Sequence, residues 1–148
     1  MAEPTERVVQ TAPAESTTIP ETHLDMLQRP LSPHLCTILP DGTPRTSPAW
    51  FHYDGEYLKF TATKTHIVYT TIAANPNVAV SLSDPEVSMR YLEVRGVIER
   101  IEEDPEASLL YVVGAKHGIE FPPPSGEPTN RVILYLKPTA TTSYNGRF

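Results

Sequence analysis

The chain has 148 residues, of which 39% are hydrophobic and 20% charged, and its formal net charge is −6 at pH 7. These values describe one globular domain with a buried core, and the negative charge argues against nonspecific binding to nucleic acid or anionic membranes. The sequence contains no run of about 20 apolar residues, so we expect no membrane-spanning helix. Cys36 is the only cysteine, which excludes an internal disulfide, and no secretory signal is recognised at the N-terminus. The sequence therefore predicts a cytoplasmic protein.

Residues 1–18 are polar and show no apolar periodicity, so we predict a flexible N-terminal arm followed by one domain over residues 19–148. The domain begins with a predicted short helix. Thr18 is its expected cap, Pro20 suits the first turn and Glu21 completes a capping box. Three leucines form its apolar stripe, namely Leu24, Leu27 and Leu31, and the prolines at positions 30 and 33 end it.

Three strands joined by tight turns follow, and together they predict an antiparallel meander. We expect the strands at residues 34–39, 45–53 and 56–61. The first turn, at residues 40–44, contains proline, aspartate and glycine, and an Asp-Gly pair at residues 54–55 makes the second.

The sequence of residues 66–74 is compatible with two structures. Its β-branched residues favour a strand, whereas its side chains also repeat at the i, i+4 spacing of a helix that Thr65 could cap. We predict a helix, ended by the Asn-Pro pair at residues 75–76. A strand is expected after it at residues 78–82.

The C-terminal half predicts two more strands with a helix between them. Residues 91–101 alternate between apolar and charged side chains, the pattern of a half-buried strand, and Gly96 is expected at a bulge or barrel bend. A helix capped by an aspartate is predicted over residues 104–114, and a proline-rich loop at 116–129 leads to a last strand at 131–137. The fold class is therefore mainly β (α+β), with about six antiparallel strands in a small barrel and flanking helices.

Familiar cofactor and catalytic motifs are absent from the sequence. It contains no Gly-x-Gly-x-x-Gly, no Walker loop and no Gly-x-Ser-x-Gly, and its five histidines form no metal-binding motif. We therefore predict no metal site and name no catalytic acid or base. Residues 60–76 place a lysine, a histidine and several hydroxyls at a strand–helix turn. This arrangement favours an anion site, because helix-start N–H groups lack internal partners.

Four segments in order resemble one protein family. Residues 41–51 fit its hairpin pattern Asp-Gly-x-Pro-x-x-Ser-Pro-x-Trp-Phe, and residues 61–76 resemble its phosphate-binding strand–helix turn. Residues 91–96 resemble its Tyr-x-x-x-x-Gly strand, and residues 131–138 its terminal strand ending in proline. The family is the flavin/deazaflavin oxidoreductase superfamily of split β-barrel proteins related to pyridoxamine 5′-phosphate oxidase. The match covers residues 24–148 and is closest to the branch that uses the deazaflavin coenzyme F420.

The resemblance implies a six-stranded antiparallel split β-barrel that forms a homodimer, with cofactor sites at the interface. It also implies hydride transfer between coenzyme F420 and a small conjugated or unsaturated molecule, with the cofactor performing the redox chemistry. Two alternatives stay open. One is an FMN-binding oxidase or reductase of the same superfamily, and the other is a non-enzymatic split barrel that binds a different ligand.

The phosphate-binding segment departs from the family pattern, which has Arg-x-Lys-x-x-Asn before the proline. Aligned on Pro76, His66 takes the place of the arginine, Val68 that of the lysine and Thr71 that of the asparagine. We therefore predict that Lys64 supplies the charge, with neighbouring hydroxyls as donors. The predicted phosphate-binding residues are Thr61, Thr63, Lys64, Thr65 and His66.

The resemblance also assigns residues to the ring system of the cofactor. For Trp50, core packing is the competing interpretation. Arg90 and Tyr91 are candidates to reach the cofactor or the substrate across the dimer, and their alternative is a surface strand pair. Arg131 is interpreted as structural. The residues predicted to line the deazaflavin ring are Ser47, Pro48, Ala49 and Trp50.

Overall fold

The structure, a computed structural model, describes residues 12–146. Within these residues the chain forms eight strands and three α-helices. The strands are β1 (Ala14–Ser16), β2 (His34–Ile38), β3 (Pro44–Pro48), β4 (Phe51–Tyr53), β5 (Leu58–Thr63), β6 (Asn77–Ser83), β7 (Arg90–Glu103) and β8 (Arg131–Asn145). The helices are α1 (Leu24–Gln28), preceded by a 3₁₀ turn at Glu21–His23, α2 (Ile67–Ala74) and α3 (Ser108–Lys116).

The strands form one antiparallel sheet in the order β3-β2-β6-β7-β8-β5-β4, and β1 pairs with the second half of β8. The sheet surrounds a core whose largest buried side chains include Phe51, Phe60 and Met26. A smaller apolar cluster lies between α3 and β8, around Val113 and Ile133. The predicted mainly β fold class, a split barrel with flanking helices, is confirmed, with eight strands where about six were expected. None of the helices in the described part of the chain has the length and apolar character needed to cross a membrane.

The predicted strand at residues 45–53 is divided into two strands with different partners. β3 pairs with β2, ending at the pair Pro48 and His34, whereas β4 pairs with β5, beginning at Phe51 and Phe60. The two intervening residues, 49 and 50, carry the chain from one edge of the sheet to the other. A single strand was expected because both halves have strand-forming residues, while their different partners are set by the tertiary fold.

The two longest strands, β7 and β8, pair along almost their whole length. Their register shifts between Arg95 and Gly96, which confirms the irregularity predicted at this glycine. A Cβ atom at position 96 would lie 2.0 Å from the carbonyl oxygen of Lys137, so the two backbones approach more closely than any other residue would permit. Gly96 lies opposite Pro138 of β8. The sequence predicted that this strand ends at Lys137, but β8 continues past the proline to Asn145.

The start of the domain differs from the prediction. Residues Ala14–Ser16 lie within the predicted arm but form β1. Thr18, the predicted helix cap, is bound to this strand instead, because the Thr18 amide donates to Ser16 Oγ at 3.1 Å. Its carbonyl accepts from Thr141 Oγ1 of β8 at 2.9 Å. The helix-capping role of Thr18 is therefore wrong, and Pro20 precedes the 3₁₀ turn without a side-chain cap. The prediction for residues 1–11 lies outside the described residues.

The other two helices occur where they were predicted, with different starts. Helix α2 is capped by His66 rather than by Thr65. Helix α3 begins at Ser108, since residues 105–107 form a turn in which Ala107 has φ +57°. The carboxylate of Asp104 nevertheless caps α3, because it accepts hydrogen bonds at 3.0 Å from each of the first two amides of the helix.

Candidate functional site

A cavity of about 410 Å³ opens between the β3–β4 junction, the end of β5 and the start of α2. Most of its wall is apolar, formed by residues such as Leu35, Phe60 and Leu134. A larger cavity of about 910 Å³ lies between α3 and the proline-rich loop, and Arg131 lines both. We place the candidate site in the smaller cavity because it collects six of the predicted cofactor-binding residues, namely Pro48, Ala49, Trp50, Thr61, Thr63 and His66.

The cation predicted from the sequence, Lys64, is not among the residues that line this cavity. Its ammonium group is bound to Glu103 of β7, and this hydrogen bond raises the pKa of the lysine. Thr65 and Ser47 also fall outside the residues that line the cavity. The hydroxyl of Thr65 lies 3.2 Å from that of Thr63, and Ser47 pairs with Leu35 between β2 and β3. A direct contact of Lys64, Thr65 or Ser47 with a cofactor stays a prediction.

Arg131 supplies the cation that lines the cavity. As the first residue of β8 it pairs with Thr63, and one of its guanidinium nitrogens donates to Thr61 Oγ1 at 3.1 Å. Within residues 12–146 it forms no ion pair with a carboxylate, so its charge is not neutralised by direct contact. From the sequence, Arg131 was interpreted as structural, because its nearness to Thr61 depends on the pairing of β5 with β8, which local sequence does not reveal.

His66 has a double role at the start of α2. Its Nδ1 accepts the amide of Val68 at 3.1 Å, and its carbonyl oxygen accepts the amide of Tyr69. In the neutral ring, Nδ1 is then the acceptor and Nε2 carries the proton, which leaves a donor on a side chain that lines the cavity. One amide at the helix start, that of Val68, is therefore already bonded to the cap and is not free for an anion. Anion binding at this site consequently depends more on side chains than the sequence predicted.

The end of β5 offers backbone groups to the cavity. β4 pairs with β5 only as far as Phe60, so in the described residues the β4-side edge of Thr61–Thr63 has no strand partner, although the carbonyl oxygen of Thr63 accepts the amide of His66 at 3.0 Å. An unpaired strand edge presents N–H and C=O groups in alternation. Such an edge suits a planar heterocycle that has its own donors and acceptors.

Trp50 lines the cavity and also packs against the smaller apolar cluster, as the core-packing interpretation requires, whereas its contact with a cofactor ring stays a prediction. Its ring stacks on His117, with the ring centroids 4.2 Å apart and an interplanar angle of 7°. The preceding residue, Lys116, donates to the carbonyl oxygen of Phe51 at 3.2 Å. Burial lowers the pKa of Lys116, and burial followed by the Lys116 charge lowers the pKa of His117.

Trp50 is the only tryptophan in the chain, so its fluorescence reports on the cavity wall. We expect its emission to fall on acidification with a midpoint below about 6.5, because a protonated imidazole quenches a stacked indole and the pKa of His117 is lowered. A fluorescence pH titration measures this. His117→Phe should abolish the transition while keeping a stacked ring, and His52→Phe should preserve it. The same transition in His117→Phe would contradict the assignment.

Arg90 and Tyr91, the remaining candidates, are not among the residues that line the cavity. Arg90 donates to Asp25 and to Asp84, each at 2.7 Å, and so connects α1 to the β6–β7 connection. Tyr91 lies across from Tyr144 of β8, with their ring centroids 6.3 Å apart. Arg90 therefore has a structural role within one chain, and a contribution of either residue to a partner's cofactor site stays a prediction.

The protein is a split-barrel domain whose smaller cavity has mainly apolar walls and is also lined by two hydroxyl side chains, Thr61 and Thr63, and by Arg131. Among residues 12–146, no group of three or more His, Cys, Asp or Glu side chains is placed to hold a metal ion. Residues 19–145 match the model of the pyridoxamine 5′-phosphate oxidase family, and the chain belongs to that family. The predicted membership of the related split-barrel superfamily is confirmed.

Solved structures give the same fold. An F420 reductase is 41% identical to this chain, with a TM-score of 0.78, over 83% of this chain and 98% of its own. General Stress Protein 26 from Bacillus anthracis is 24% identical, with a TM-score of 0.61, over 80% of this chain and 87% of its own. A conserved hypothetical protein from Mycobacterium tuberculosis is 20% identical, with a TM-score of 0.66, over 86% of each chain. The last two show the fold alone.

No curated protein matches the chain. The family and the F420 reductase relative together point to an oxidoreductase with a flavin-type cofactor.

Proposed function

We propose that this protein is an oxidoreductase that transfers a hydride between coenzyme F420 and a small conjugated or unsaturated molecule. The observation that carries the proposal is that one cavity combines apolar walls, which include Trp50, with Arg131, which donates to Thr61 and makes no ion pair within residues 12–146. The similarity to an F420 reductase, at 41% identity, supports the deazaflavin over other flavin-type cofactors.

The donor set of the cavity fits a planar cofactor that carries a phosphate. Trp50 and the apolar residues beside it would hold the ring system, and the open edge of β5 would hydrogen-bond to it. Arg131 would bind the phosphate through charge-assisted hydrogen bonds, helped by His66 and the hydroxyl of Thr63. When bound, the deazaflavin supplies the hydride chemistry.

The protein's own contribution is binding, orientation and exclusion of water. The residues that line the cavity include no carboxylate, and their titratable side chains are His66 and Arg131. Hydride transfer requires that donor and acceptor be held close together in the correct orientation, which the cavity walls would provide. The proton that completes the reduction would come from solvent or from Nε2 of His66, the donor on the cavity lining.

We also propose that the protein is a homodimer whose cofactor sites lie at the interface. The position of one exposed apolar residue supports this, since Ile67 at the start of α2 is 45% exposed and lies one residue from the cavity-lining His66. Light scattering during gel filtration measures the mass directly. A single peak at the mass of one chain, at micromolar concentration, would remove the dimer from the proposal.

Titration of the purified protein with F420 tests the proposed function. We expect saturable quenching of Trp50 emission, because the cofactor would bind against this residue. No binding at about 50 μM cofactor, where a micromolar site is saturated, contradicts the proposal. A protein that purifies yellow and releases FMN on denaturation would identify the flavin alternative. Failure to bind either cofactor would favour a non-enzymatic ligand-binding protein.

A further inference from the structure

Lys116, the last residue of α3, is a half-buried lysine that makes no ion pair within the described residues. Its ammonium group donates to the carbonyl oxygens of Leu27 at 3.1 Å and Phe51 at 3.2 Å, and lies 4.5 Å from the centroid of the Phe51 ring. Removing an ammonium group from water without a countercharge is costly, so the position calls for a specific role.

The two carbonyl groups belong to different elements. Leu27 lies in the last turn of α1, where carbonyl groups have no intrahelical partner and favour a positive charge. Phe51 is the first residue of β4 and is joined by one peptide bond to the cavity wall at Trp50. Lys116 therefore connects three elements, α1, α3 and β4, at the place where the chain leaves the cavity.

The backbone at the cavity wall has little other support. The junction at residues 49–50 belongs to neither β3 nor β4, so no sheet ladder holds it. On the near side the amide of Ala49 donates to the carbonyl oxygen of Pro33 at 3.1 Å, and on the far side Lys116 holds Phe51. His117, the next residue, stacks on the Trp50 ring. Two consecutive residues thus hold both the backbone and the ring of the wall.

We infer that Lys116 is a positioning residue for the cofactor site, since it holds the backbone that fixes Trp50 in place before the ligand arrives. A wall that is already in place reduces the ordering cost of binding. The ammonium group holds the first residue of β4, directly after the junction at residues 49–50 that no ladder holds. The inference rests on the proposed function only for the identity of the ligand, because the position of Trp50 is measurable without any ligand.

The test replaces Lys116 with methionine, which keeps the aliphatic stem and removes the charge. In the ligand-free protein, we expect Lys116→Met to increase the acrylamide quenching constant of Trp50 by about twofold, because the wall opens locally. The dissociation constant for F420 should rise about fivefold or more, and Lys116→Arg should recover part of both effects. Lys137→Met, at a lysine paired with Glu56 on the surface and outside the cavity lining, should change neither.

Two further variants separate positioning from general stability. Leu92→Ala empties a fully buried site in β7 and should lower the unfolding midpoint without changing Trp50 quenching. His117→Ala removes only the stacked ring and should increase quenching even if Lys116→Met does not fold. The inference is overturned if folded Lys116→Met leaves quenching unchanged, or if Leu92→Ala increases it equally. If the wild-type protein binds no F420, the proposed function fails while the quenching data still decide the role of Lys116.

Discussion

Replacing Arg131 with methionine should weaken F420 binding by about 10- to 100-fold. The estimate corresponds to the loss of charge-assisted hydrogen bonds worth about 1.5–3 kcal/mol. Arg131 lines the cavity and is bound to Thr61 Oγ1, with no carboxylate paired to it in the described chain. Fluorescence or calorimetric titration gives the dissociation constant, and a urea melt shows whether the fold is retained.

The matched control for Arg131 is the other candidate cation, Lys64. Its ion pair with the exposed Glu103 lies outside the cavity lining, so Lys64→Met should change the dissociation constant by less than about twofold. The sequence alone favoured the opposite outcome, with Lys64 as the phosphate-binding cation. A large effect at Lys64 together with none at Arg131 would therefore restore the sequence-based assignment and refute the one made from the structure.

Replacing Asp84 with asparagine should destabilise the protein more than any surface substitution. The Asp84 side chain is 3% exposed and accepts hydrogen bonds from Arg29 at 3.1 Å and from Arg90 at 2.7 Å. Asparagine leaves both cations without their buried partner, at a cost of about 2–4 kcal/mol. Urea unfolding at pH 7 measures the change. Glu86→Gln, which alters an 80% exposed partner of Arg29, should cost less than about 0.5 kcal/mol.

The same carboxylate predicts an acid dependence. The hydrogen bond from Arg29 holds the pKa of Asp84 well below its usual range. Because the folded-state pKa lies below the unfolded one, this stabilisation is complete above about pH 4 and is lost as the pH falls further. The free energies of unfolding of wild type and Asp84→Asn should therefore converge below pH 4. A constant difference down to pH 2 would contradict this account.

Sequence patterns predicted those features that depend on neighbours along the chain. The alternation of residues 91–101 identified β7, and Gly96 marked its irregularity, because period-2 burial and close backbone approach leave direct traces in sequence. The residues Pro48, Ala49 and Trp50 were found through the family resemblance and do line the cavity.

The features that were missed depend on residues brought together from distant parts of the chain. Arg131 meets Thr61 only because β5 and β8 pair, and Lys116 supports Trp50 only because α3 packs beside β4. Lys64 was preferred because it lies in the phosphate-binding segment itself, but its partner is Glu103 on another strand. A local charge pattern does not reveal which cation is already neutralised.

The edges of the sheet limit how this protein can associate. β3 is an edge strand with proline at both ends, Pro44 and Pro48, and neither proline can donate a backbone hydrogen bond to an added strand. Elsewhere in residues 12–146, β1 and β4 have only three residues each, and the open edge of β5 spans only Thr61–Thr63. Continuous sheets between molecules are therefore disfavoured, which protects the protein against strand-mediated aggregation. Self-association must instead use side-chain surfaces, whose composition can vary without disturbing the barrel.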